Sequence, residues 1–108
     1  MYEPLYKPSR PLQDLANGLH SGTKIAQFDL GHGKKQIWHK HHETGELVIL
    51  DQQVVANGND GDVDFEFEVI KSYPPIAAEL AELNQNAQPI EIINGEVEVI
   101  KNYHVESI

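Results

Sequence analysis

The chain offers few side chains able to do chemistry, and they cluster. Three of its six histidines, His39, His41 and His42, fall within four residues, and Glu46 follows shortly after. On a strand, residues two apart point to the same side. His39 and His41 would then present two imidazoles together, and a turn after His42 can return the Glu46 carboxylate to the same place. Two imidazoles and a carboxylate suit a divalent ion. The same imidazoles titrate near neutrality and can form a pH-sensitive patch. The plainer expectation for this run is a polar edge strand with exposed rings and no cofactor. A divalent metal on His39, His41 and Glu46 is the alternative.

The spacing is itself patterned: Gly33, five residues, His39, one residue, His41, four residues, Glu46. This run resembles the first motif of the cupins, in which a strand pair delivers two histidines and a glutamate to a metal inside a β-barrel. The resemblance implies a metal-binding protein or enzyme. It spans residues 33–46. Gln53 stands where the cupin pattern has a glycine. The second motif, a Pro-x-Gly turn with a further histidine, has no counterpart, since the one later histidine is His104.

The other chemistry-bearing groups are carboxylates. The formal net charge is −9, and it is segregated. Residues 1–42 hold six of the eight basic residues and three acids, whereas residues 43–108 hold two bases and fourteen acids. Phosphates would be repelled by the second part, which argues against direct nucleic-acid binding. A basic surface would be attracted. Asp64, Glu66 and Glu68 alternate with Val63, Phe65, Phe67 and Val69, and so line one side of a strand. Glu91, Glu96 and Glu98 line one side of a hairpin turning at Asn94-Gly95. If these strands share a sheet, all six carboxylates share its outer face. Like charges on adjacent strands repel, so such a face costs stability. A solvated sheet face explains it without function. A docking face explains the cost: a basic protein surface, belonging to a nucleic-acid-binding protein or a toxin, would be met by a small acidic inhibitor, immunity-type protein or regulator. That non-enzymatic binding role is the leading functional expectation.

Several chemistries are absent from the sequence. There is no cysteine, hence no thiolate nucleophile, disulfide staple or thiolate zinc site. No glycine-rich phosphate loop occurs. The run Asn57 to Asp62 looks calcium-like, but with Gly61 as the loop glycine the first and third ligand positions fall on Ala56 and Gly58. Ser9, Ser21, Ser72 and Ser107 lie in no nucleophile elbow. Trp38 is expected to pack in the core or at an edge, and would anchor an interface if exposed.

The elements that must position these residues follow from periodicity. Pro4, Pro8 and Pro11 make residues 1–11 an extended arm. Ser9 can cap a short helix carrying Leu12, Leu15, Ala16 and Leu19. Strands are expected over 25–30, 35–42, 47–55 and 62–70, then a helix over 75–84 with Ile76, Leu80 and Leu83 facing inward, then the hairpin. If Asn94 and Gly95 are the turn residues, Ile93 faces Glu96, Ile92 faces Val97 and Ile90 faces Val99. The expected fold is a single α+β domain over 1–108, a mainly antiparallel sheet of five or six strands with two short helices. The expected core is Phe28, Leu30, Val48, Leu50, Phe65, Phe67, Leu80, Ile92 and Val97. No basic or apolar leader and no long apolar run is visible, so the expected location is cytoplasmic, with no membrane partner.

Overall fold

The computed structural model describes residues 7–11, 14–15, 22–56, 63–83 and 87–106. In order they form β1 (Thr23–Gly31), β2 (Lys34–Lys40), β3 (Leu47–Ala56), β4 (Val63–Tyr73), α1 (Pro75–Leu83), β5 (Ile90–Ile93), β6 (Glu96–Val99) and β7 (His104–Val105). Five strands make one antiparallel sheet in the order β4-β3-β2-β1-β7, and β5 and β6 pair as a separate two-stranded sheet. The fold is therefore α+β and mainly antiparallel, as expected. Among the described residues there is one helix rather than two. Of the segment expected to form the first, only Asp14 and Leu15 are described as helical, and the Leu15 N–H donates to the Pro11 carbonyl at 3.1 Å. The rest of that segment, most of the 1–11 arm and the 57–62 loop lie outside the described residues.

Two turns follow directly from residue type. Asn94 and Gly95 both take positive φ, 52° and 82°, the geometry that matches the twist of a tight hairpin. The β5–β6 register is the expected one, with Ile90 opposite Val99, Ile92 opposite Val97 and Ile93 opposite Glu96. His32 and Gly33 turn β1 into β2 in the same way, with φ of 55° and 75°.

Paired residues share a side of the sheet, so the register sorts them into two faces. One face carries Trp38, Leu47 and Ile49, and α1 lies on it through Ala78, with Ala77 and Ala81 beside it. The other carries Ile37, Val48, Leu50 and Val69, and Leu15 from the N-terminal segment packs on it. The core is thus two thin layers with the sheet between them. Burying a side chain such as Leu15 contributes about 1.5–3 kcal/mol.

The expected core is half right. Phe28, Val48 and Leu50 are buried and Leu30 is half-buried, but Phe65, Phe67, Leu80, Ile92 and Val97 are exposed. Phe65 and Phe67 sit on the face that Leu15 covers, but outside the cluster it forms with Ile37, Val48, Leu50 and Val69. In α1 the small residues Ala77, Ala78 and Ala81 meet the sheet, and Ile76, Leu80 and Leu83 point away. A close helix-to-sheet approach favours small side chains, so the alanine stripe was taken inward instead of the leucine stripe. No helix among the described residues is long and apolar enough to cross a membrane.

Candidate functional site

The carboxylates of β4 lie on the helix-bearing face. Glu68 pairs with Asp51, Glu66 with Gln53 and Asp64 with Val55. A shallow groove of about 200 Å³ opens there, lined by Lys34, Asp51, Gln53, Glu66, Phe67 and Glu68. Lys34 Nζ lies 3.3 Å from Asp51 Oδ2, so its charge is already engaged. Asp64, Glu66 and Glu68 are exposed, and among the described residues they make no ion pair or side-chain hydrogen bond. On the reverse side of β4, Phe65 is 51% and Phe67 58% exposed, with Val54 opposite Phe65 also exposed. The first half of β4 therefore shows an acidic face and an apolar face back to back.

Glu91, Glu96 and Glu98 are exposed too, with Glu91 directly opposite Glu98. They belong to the separate β5–β6 sheet, so the six carboxylates do not share one sheet face. The hairpin is fastened to the main sheet by Gln36, whose side chain is fully buried. Gln36 Oε1 accepts from the Ile90 N–H at 2.8 Å and from Trp38 Nε1 at 3.0 Å. Gln36 Nε2 donates to the Ile90 carbonyl and to Asp51 Oδ1. Trp38 is half-buried, edge-on to Phe28 at 5.8 Å, and is a packing residue. Sequence reasoning missed Gln36. Its one signal was a polar residue among the alternating positions of a central strand.

The histidines occupy a different environment from the expected edge strand. β2 lies between β1 and β3, and it ends at Lys40, so His41 and His42 fall in the connection to β3. His39 is half-buried and His41 buried, and His42 alone is exposed. Burial, reinforced by Lys24, holds His39 below the usual imidazole range. Burial, with Arg10 next, does the same for His41. His41 Nδ1 accepts from the Glu43 and Thr44 backbone N–H groups at 3.2 and 3.3 Å. A ring accepting at Nδ1 carries its proton on Nε2, which is buried without a hydrogen-bond partner. His41 thus braces a turn rather than pointing beside His39 from a strand. Gly45, at a φ of 77°, lets the turn close.

Glu46 is buried and accepts from the Ser9 N–H at 3.2 Å and from the Ser9 hydroxyl. Arg10 pairs with Glu43 at 2.5 Å, and this hydrogen-bonded guanidinium holds the Glu43 carboxyl below its ordinary range. The N-terminal arm therefore clasps the histidine turn. Among the described residues no three His, Cys, Asp or Glu side chains converge as a group able to hold a metal ion. His39, His41 and Glu46 are brought to one end of the sheet, but on a strand, in a turn and against the arm respectively.

No protein-family model, curated protein or solved structure matches this chain.

Proposed function

We propose that this chain is a small acidic binding protein, without catalytic chemistry of its own, that docks on a basic surface of another protein in the manner of an inhibitor, an immunity-type protein or a regulator. The observation that carries this reading is the first half of edge strand β4, where Asp64, Glu66 and Glu68 stand exposed and unpaired and Phe65 and Phe67 are exposed behind them. Unpaired carboxylates steer a basic partner during encounter, and the exposed rings supply the apolar area that slows its release. The acids of β5 and β6 extend the negative field from a separate sheet.

The test uses Glu66→Lys, Glu68→Lys and Glu98→Lys together. These side chains are solvated, so the fold should persist. Affinity capture from source cells, followed by mass spectrometry, identifies the partner. Association kinetics of wild type and triple variant are then compared at low and high salt. Association should slow by about tenfold or more in the variant, and in wild type as salt rises. A partner bound at the same rate under all these conditions removes the acidic face of β4 from the mechanism.

A further inference from the structure

β4 is an edge strand. Ten of its eleven residues pair with β3 on one side, Ile70 being skipped at a bulge, and among the described residues no strand pairs on the other. The direction of its backbone groups follows from one bond. The Val54 N–H donates to the Gly33 carbonyl at 3.1 Å, toward β2. Successive residues of a strand turn their N–H and C=O groups to opposite sides. Gln53 and Val55 therefore turn toward β4, where their partners are Glu66 and Asp64. It follows that Asp64 and Glu66 spend their backbone groups on β3, and Phe65 and Phe67 direct theirs to the open edge. Such an edge is a template for another strand.

We infer that the outer edge of β4 accepts an extended segment of a partner, added antiparallel, in which basic and apolar residues alternate. This rests on the binding role proposed above and specifies its mode. Paired residues share a face, so a strand laid along β4 would put its apolar side chains beside Phe65 and Phe67 and its basic side chains beside Asp64, Glu66 and Glu68. Main-chain bonds supply affinity in this mode, and alternate side chains supply selectivity. A second copy of this chain fits badly. Two β4 edges related by a twofold axis keep acids on one face, so carboxylates of one copy would stand opposite carboxylates of the other. The same charges that admit a basic strand thus guard the edge against self-pairing.

The probe is a fluorescently labelled peptide, acetyl-Lys-Val-Lys-Val-Lys-Val-Lys-amide, titrated with the whole chain and read by anisotropy. Three companions accompany it: one of the same composition with lysines and valines in separate blocks, and two of the same sequence, N-methylated either at the valines or at the lysines. In the inferred geometry the valine N–H groups face Phe65 and Phe67. Methylation at valine should weaken binding at least about tenfold, since several bonds are lost together, and methylation at lysine should leave it nearly unchanged. On the protein side, Phe67→Pro removes an outward donor without touching the β3 ladder. It should bind about fivefold more weakly than Phe67→Ala, with circular dichroism confirming that both fold. Equal binding of the block and alternating peptides would overturn strand addition while leaving the acidic docking role standing. Weakening by lysine methylation but not valine methylation would overturn the antiparallel register. No binding of any lysine peptide would overturn both readings. A β4-mediated dimer in sedimentation, abolished by Phe67→Pro, would assign the edge to a second copy instead.

Discussion

Replacing Gln36 by leucine is the most direct test of how the β5–β6 hairpin is held. The shape is nearly kept and the side chain's four hydrogen bonds are lost. The Ile90 N–H and C=O, on a buried residue, lose their partners. Each such orphan costs about 1–3 kcal/mol, so the docked arrangement loses roughly 2–6 kcal/mol. Trp38 Nε1 adds less, because the ring is half-exposed and water can reach it. The hairpin has a cheaper response than unfolding the sheet: it can swing away and let water solvate Ile90. Beyond Gln36 it is held by the buried Ile90, which packs with Leu47, Ile49 and Ala78, while its other side chains are exposed. Hydrogen exchange read by NMR should therefore show the Ile90 amide exchanging at least about thirtyfold faster in Gln36→Leu, with β2 and β3 amides affected less. Gln36→Glu sharpens the test. Its second oxygen would face the Ile90 carbonyl and the Asp51 carboxylate, so the hairpin should redock when acid protonates the new side chain. An Ile90 amide as protected in Gln36→Leu as in wild type would refute the reasoning.

Three further outcomes are expected. Leu15→Ala should cost about 2–5 kcal/mol in urea unfolding, because Leu15 is wholly buried against Ile37, Val48 and Leu50; a loss well under 1 kcal/mol would mean the N-terminal segment is not part of the core. Stability should fall as pH drops below the ordinary imidazole value of 6.5, since His39 and His41 are held below it when folded. The unfolded chain then takes up protons that the native chain refuses, and the loss continues down to the folded values. The depressed carboxyls of Glu43 and Glu106 act only lower, below about 4.5. Urea midpoints at pH 7.5 and 5.5 should therefore differ in wild type and converge in His39→Gln/His41→Asn, where the asparagine oxygen can still accept the turn's N–H groups. Gly95→Ala should destabilise the β5–β6 hairpin by about 1 kcal/mol through its positive φ alone, as a Cβ there meets nothing within 4 Å; faster exchange confined to residues 90–99 would confirm it.

Sequence alone determined the local elements. Asn94-Gly95 dictated a turn with two positive φ values, and that turn dictated the β5–β6 register. The strict alternation from Val63 to Val69 dictated a strand with acids on one side and apolar residues on the other. These outcomes depend on neighbours in the chain, so they are legible in it. Tertiary structure alone decided which apolar faces are covered. Alternation says that Phe65 and Phe67 share a side with Val69. It does not say that the Leu15 layer stops at Val69 and leaves both rings exposed. Helical spacing gives α1 a leucine stripe and an alanine stripe, and the close approach of the helix to Leu47 and Ile49 selected the alanines. The histidines depend equally on distant chain. His41 is buried in a turn that Ser9 and Arg10 clasp through Glu46 and Glu43. Pattern reports which residues travel together. Coverage depends on residues far away in sequence, whose arrival at a given face only the folded chain records.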